Sequence, residues 1–146
     1  MKKAYIEKRA MFKKMEYFII DEKMPSLNEY INICRKNKYC AAKFKSYIET
    51  LICKYINKYK KNKLLRPVEY KCTIHFTWHE NTQKRDVDNI QFGQKFILDA
   101  MQKAGIIKND SRKYVGQTYH TILNDSDKTY VEVEIREVNN DERTEK

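Results

Sequence analysis

Glycine and proline are scarce in this chain, with 3 Gly and 2 Pro in 146 residues. That scarcity excludes collagen-like and linker-rich chains and makes every turn signal informative. No apolar run approaches the ~20 residues needed to span a bilayer, so no membrane segment is expected. The N-terminus is charged and mixed, without the apolar stretch of a secretory signal. The four cysteines, Cys34, Cys40, Cys53 and Cys72, form no CxxC pair and match no zinc spacing. Cys34, Cys53 and Cys72 fall on apolar faces of predicted elements and read as small buried hydrophobes in a reducing compartment. A cytoplasmic, soluble protein is expected. Acidic residues are in deficit as well: 20 Asp and Glu face 30 Lys and Arg, for a formal net charge of +10. An AT-rich genome would enrich Lys without removing Asp and Glu, so the imbalance points to a polyanionic partner, nucleic acid first. With 41% hydrophobic and 34% charged residues the chain is globular rather than disordered. Its length suits one domain, residues 1–146, with a core of its own.

The predicted elements follow from hydrophobic period. Residues 1–12 are basic and mixed, a loose arm or a short helix. Residues 14–21 read as a strand that Pro25-Ser26 closes, and a short helix starts near Leu27. Over 40–61, Ala41, Phe44, Ile48, Leu51, Tyr55 and Tyr59 recur at three- and four-residue steps, which predicts a helix. Lys43, Lys45, Lys54, Lys58, Lys60 and Lys61 lie mostly off that stripe, on a face that is either solvated or in contact with phosphate. After Arg66-Pro67, residues 68–78 alternate strictly, with Val68, Tyr70, Cys72, Ile74, Phe76 and Trp78 on one side: a half-buried strand. Glu80–Lys84 is a polar loop. A second main helix runs from about Asn89 to Ala104 and stops at Gly105. Strands near 113–123 and 129–138 form a hairpin turning at residues 124–127, and 139–146 is a charged, frayed tail. The fold expected is α+β, a single small domain with a mixed or antiparallel sheet of about four strands packed with two main helices.

The chemistry concentrates between Arg85 and Asp110. Asp86 and Asp88 are two apart, and in extended chain alternate side chains point the same way with Cα atoms about 6.5–7 Å apart. Two such carboxylates suit a hard cation, and Mg²⁺ commonly takes one or two carboxylates together with substrate phosphate and water. Asp-x-Asp alone says little, because Asp125 and Asp127 repeat it where a turn needs such residues. Asp88 also stands at the mouth of a helix, where it could serve as an N-cap. Asp88, Lys95 and Asp99 share a polar stripe opposite Ile90, Ile97, Ala100, Met101 and Ala104. The plain account of Lys95 and Asp99 is an i,i+4 surface pair. Asn109-Asp110 sits in a loop able to fold back beside Asp86 and Asp88. His75 and His79 share one strand face and read as sheet-surface or phosphate-contacting residues before ligands.

These residues resemble the RusA-type Holliday junction resolvases. The motif set reads R-D-V-D-N-I-Q-F-G-Q-K-F-I-L-D-A-M-Q-K-A-G-I-I-K-N-D, preceded by Met24-Pro25-Ser26-Leu27-Asn28-Glu29-Tyr30 before a basic helix, and the resemblance covers about residues 15–135. Two departures stand out. The Asp88–Lys95 segment is three residues longer than in the enterobacterial pattern, similar to relatives from Gram-positive phages and prophages. Asn109 stands where an Asp is common. The resemblance implies a RusA-like homodimer acting on branched DNA, the four-way junction, by paired symmetric nicks in recombination and repair. It implies Mg²⁺ as cofactor, with Mn²⁺ able to replace it, held by Asp86, Asp88 and Asp110, with Lys95 as the essential lysine. Asn28 would support the site or serve a turn. Two rivals share the basic charge: a non-catalytic phage DNA-binding protein, and a metal-dependent nuclease acting on flaps or RNA. The first has no need of clustered carboxylates, which repel DNA unless a cation masks them.

Overall fold

Residues 14–138 are described by the structure, a computed structural model; the arm expected over 1–12 and the tail over 139–146 lie outside the described residues. Four strands make one mixed sheet: β1 (Met15–Ile20), β2 (Cys72–His79), β3 (Val115–Leu123) and β4 (Tyr130–Glu137), in the order β1-β4-β2-β3. β4 pairs antiparallel with both β1 and β2, and β2 pairs parallel with β3. The helices are α1 (Leu27–Lys36), α2 (Lys38–Lys61), α3 (Val87–Gln91) and α4 (Gln94–Lys103). This is the expected α+β class. Among the described residues, no helix is long and apolar enough to cross a membrane.

Local chemistry sets the helix ends. Ser26 Oγ accepts from the Glu29 amide at 3.1 Å, an N-cap opening α1, and donates to the Glu29 carboxylate at 3.3 Å. Asn37 Oδ1 accepts from the Cys40 amide at 2.7 Å and opens α2. Gly105, at φ 74°, closes α4: the Ile106 amide bonds the Met101 carbonyl at 2.8 Å and the Gly105 amide bonds that of Gln102 at 3.1 Å. Those two bonds are a Schellman stop, which needs a residue tolerant of positive φ.

The predicted second helix is two segments in line. At Phe92-Gly93 the bonds tighten to three-residue steps, Gly93 to Ile90 and Lys95 to Phe92. Gly93 is required by packing: a Cβ there would lie 2.8 Å from Met24 Cβ and 3.1 Å from the Trp78 ring. The helices cover one sheet face, where Phe18, Ile20, Ile74, Phe76, Trp78, Val133 and Ile135 meet Ile52, Ile56, Phe96, Ile97 and Met101. Phe96 sits edge-on to Tyr30, Phe44 and Phe92, joining α4 to α1 and α2. Met15, Tyr17 and Ile19 form a smaller cluster on the other face with Leu64 and Tyr130.

Three expectations are corrected. β3 and β4 are not a hairpin, because β2 lies between them. The 124–129 segment instead crosses the end of β2, held by Asp125 Oδ1 at 2.8 Å from His79 Nδ1 and by Thr129 Oγ1 donating to Asn81. The predicted strand over 68–78 starts at Cys72, since the Val68 amide turns away to bond the Ile106 carbonyl. Cys34 is exposed rather than buried, because α1 buries none of its residues fully. Cys72 does behave as an inert hydrophobe, and burial pushes its thiol up to about 11.

Trp78 Nε1 donates to His120 Nδ1 at 3.0 Å, and His120 stacks on Phe76. Burial holds His120 below its ordinary value, and burial together with Arg136 does the same to His75. Both rings are therefore neutral near pH 7. The unfolded chain takes up protons near pH 6.5 while the folded rings resist to lower pH, so their stability is complete above about 6.5 and is lost as pH falls toward the folded-state values. The urea midpoint of the wild type is expected to drop between pH 7.5 and pH 5, and that of His120→Gln to drop less. Equal drops in both proteins would contradict the assignment to His120.

Candidate active site

The candidate site is built where β2 ends. The six residues after His79 fold back on themselves: Arg85 meets Glu80 with two parallel bonds, Nε to Oε1 at 2.9 Å and Nη2 to Oε2 at 2.8 Å. The third arm of the guanidinium donates to the Met24 carbonyl at 2.9 Å. Both side chains are largely buried, 13% and 5% exposed. A bidentate pair of this kind fixes geometry as well as charge. It leaves the next residue, Asp86, at the N-cap of α3 with extended backbone.

Asp86 makes no capping hydrogen bond there. Ser26 and Asn37, at the equivalent position of α1 and α2, both do. Asp88, in the first turn of α3, is exposed, and among the described residues neither its carboxylate nor that of Asp86 has a hydrogen-bond or ion-pair partner. The helix N-terminus favours negative charge at both positions. Asn89 serves as a tie within the fold. Its Oδ1 accepts from the Asn28 amide at 3.0 Å and fastens the Asp-x-Asp-Asn segment to the start of α1. Asn28 thus enters through its backbone.

Lys95 lies in the first turn of α4, exposed and without an ion-pair partner among the described residues. The plain pairing with Asp99 does not form, because Asp99 meets Lys45 of α2 at 3.3 Å. Seven residues separate Asp88 from Lys95, about 10 Å of helix and nearly two turns, so both stand on one face. Helical side chains lean toward the N-terminus, which is the direction of Asp88 along the chain.

Asp110 lies elsewhere. The α3–α4 unit carries the chain away from Asp86 and Asp88 by about 25 Å. The Ile106 carbonyl accepts from the Val68 amide, and the Tyr114 carbonyl accepts from the Cys72 amide, so the 104–114 loop sits at the opposite end of β2. Parallel pairing of β2 and β3 demands this return. The loop does not fold back beside Asp86 and Asp88. Among the described residues, no three His, Cys, Asp or Glu side chains converge closely enough to hold a metal ion. Asn109 is used locally, its Oδ1 accepting from the Ser111 amide at 2.9 Å.

The other candidates have structural roles. His79 is buried, stacked on Tyr130 at 4.2 Å, and bonded to Asp125; its Nε2 lies 3.5 Å from Glu132 without a hydrogen bond. His75 stacks on Tyr119 at 4.6 Å. The repeated Asp-x-Asp at 125–127 is thus part of a crossover anchor, whereas the pair at 86–88 keeps free oxygen donors of the kind a hard cation takes. Sequence reasoning missed Glu80 and Gly93. An isolated Gly inside a helical pattern was a usable signal for the second, and nothing local marks Glu80 as the partner of Arg85.

An α+β domain of strongly basic charge, presenting two unengaged carboxylates at the end of a strand, has the features of an enzyme that cuts nucleic acid phosphodiesters. The family described as endodeoxyribonuclease RusA matches residues 7–136. The chain belongs to that family, the RusA-type Holliday junction endonucleases. No curated protein matches it.

Proposed function

We propose that this protein is a Mg²⁺-dependent homodimer that resolves four-way DNA junctions by paired symmetric nicks, with Asp86, Asp88, Asp110 and Lys95 as its working residues. The observation that carries the reading is the pair of unengaged carboxylates at the start of α3, held in place by Glu80–Arg85 and by Asn89–Asn28. A divalent cation bound there would lower the pKa of attacking water and offset charge on the scissile phosphate. Asp86 and Asp88 would supply its oxygen ligands. Lys95 would place a point charge against the phosphate or the leaving oxygen.

Asp110 enters through symmetry. It stands at the far end of β2 from Asp86 and Asp88, so one chain alone does not gather the three carboxylates. In a two-fold dimer that sets these two ends against each other, Asp110 of one copy would join Asp86 and Asp88 of the other. Two such sites would match the two-fold symmetry of a junction. Neither site would exist in a monomer, which would protect duplex DNA from stray cutting.

A synthetic four-way junction, a matched duplex and a single strand, each with Mg²⁺ or EDTA, test the activity. Junction-selective cutting with Mg²⁺ alone is expected, and a folded dimer that leaves the junction intact would end the reading. Subunit mixing tests the assembly. Asp88→Asn and Asp110→Asn are each expected to be inactive, while an exchanged mixture regains single nicks because one of its two sites is wild type. No recovery from a mixture shown to contain heterodimer would place all three aspartates on one chain.

A further inference from the structure

We propose that the outward face of α2 docks a duplex arm of the DNA substrate by its phosphate backbone; this rests on the nucleic-acid reading above. Tyr39, Lys43, Tyr47, Lys54, Lys58 and Lys61 are exposed and fall within an arc of about 100° at 3.6 residues per turn. Of the lysines of α2 that sequence periodicity leaves ambiguous, the structure separates two kinds. Lys45 pairs with Asp99, and Lys60 donates to the Ala104 carbonyl at 2.8 Å, so both hold α2 to α4. Lys43, Lys54, Lys58 and Lys61 have no ion-pair partner among the described residues, and the sole contact of this group is Lys43 over the Tyr39 ring at 5.9 Å.

Charge complementarity selects the occupant. The one acidic residue of α2, Glu49, is buried and paired with Lys103 at 2.9 Å, so the outward face carries positive charge alone. A merely solvated face usually mixes both signs. Some lysines elsewhere are offset by a carboxylate: Lys14 by Glu137 and Lys128 by Asp21. Tyr39 and Tyr47 are 74% and 65% exposed, far more than core packing requires. They offer flat, hydrogen-bonding surface to sugar and phosphate. The 24 residues of α2 extend about 36 Å, close to one turn of B-form DNA.

The test compares two triple variants of equal net charge, Lys43→Gln/Lys54→Gln/Lys58→Gln and Lys14→Gln/Lys71→Gln/Lys128→Gln. Binding to a four-way junction is measured in EDTA across a salt series, with circular dichroism and sedimentation as controls for fold and dimer. Each lost phosphate contact lowers the salt slope by about 0.9, so the α2 triple is expected to lose roughly 2–3 from its slope and about tenfold or more in affinity. The second triple is expected to change far less. Equal losses in both would reduce the effect to net charge and overturn the proposal, as would an unchanged slope in the α2 triple. A shifted monomer–dimer balance in the α2 triple would assign the face to contacts between copies and overturn it too. A wild type that fails to bind junctions would refute the nucleic-acid reading itself, a separate outcome.

Discussion

Asp88→Asn is expected to abolish junction cleavage while leaving the fold intact and junction binding equal or tighter. The loss should reach roughly 10³-fold, the size seen when a group that stabilises transition-state charge is removed. Three observations set the direction. The Asp88 carboxylate has no partner among the described residues, so its charge supports no ion pair that the amide would break. It lies in the first turn of α3, where losing a favourable dipole interaction costs only about 0.3–1 kcal/mol. At the proposed site, in EDTA, it would meet DNA as an unmasked negative charge, so neutralising it would remove repulsion. Thermal melting, gel shift in EDTA and cleavage with Mg²⁺ separate these effects. A variant that still cuts at the wild-type rate would remove Asp88 from the site. A non-catalytic DNA-binding protein would show the tighter binding without any cleavage to lose.

Glu80→Gln is expected to destabilise the protein by about 3 kcal/mol or more, the cost of leaving a buried charge without its partner. Arg85 would keep its bond to the Met24 carbonyl and lose the bidentate grip that closes the loop after β2. Asp86 follows Arg85 directly, so cleavage should also fall at temperatures where the fold persists. A double variant, Glu80→Leu/Arg85→Met, separates the two effects. Replacing both charges by apolar groups should recover much of the stability, but it restores no anchor for Asp86, so cleavage should stay low. Full recovery of cleavage in the double variant would show that the pair serves folding alone. Urea unfolding and single-turnover cleavage are the two measurements.

The elements that were legible in sequence are those specified by local rules. Alternation over 72–78 announced β2, and its inward residues Cys72, Ile74, Phe76 and Trp78 are buried as their period required. The stripe of α2 was readable because its apolar positions recur at helical spacing. Gly105 marked the end of α4, since it alone could take the positive φ of the stop without strain. The hairpin expected between 113–123 and 129–138 failed for a non-local reason. A turn-rich segment joins two strands of either a hairpin or a crossover, and the choice depends on whether a third strand can slip between them. Here β2 does, and Asp125 fastens the crossing segment to His79.

The candidate site divides along the same line. Asp86, Asp88 and Lys95 lie within ten residues, so spacing and helical period were enough to single them out as one candidate set. The family resemblance at these residues, extended to residues 7–136 by the family match, rests on that local order. Which carboxylates remain unengaged was not legible, because Asp86–Asp88 and Asp125–Asp127 are the same pattern on paper. They differ only in what the fold brings to them: His79 to Asp125, and no partner among the described residues to Asp86 or Asp88. The Glu80–Arg85 clamp was hidden for the same reason, since two charges five residues apart in a loop carry no period. Asp110 is the sharpest case. Sequence placed it just after a helix, close in number to Lys95. The parallel pairing of β2 with β3 obliges that helix to carry it to the opposite end of the sheet. Local sequence thus determined the elements and the chemistry each one bears. Tertiary structure decided which charges are neutralised and which ends of the molecule hold them, because both depend on contacts between residues that the chain itself keeps far apart.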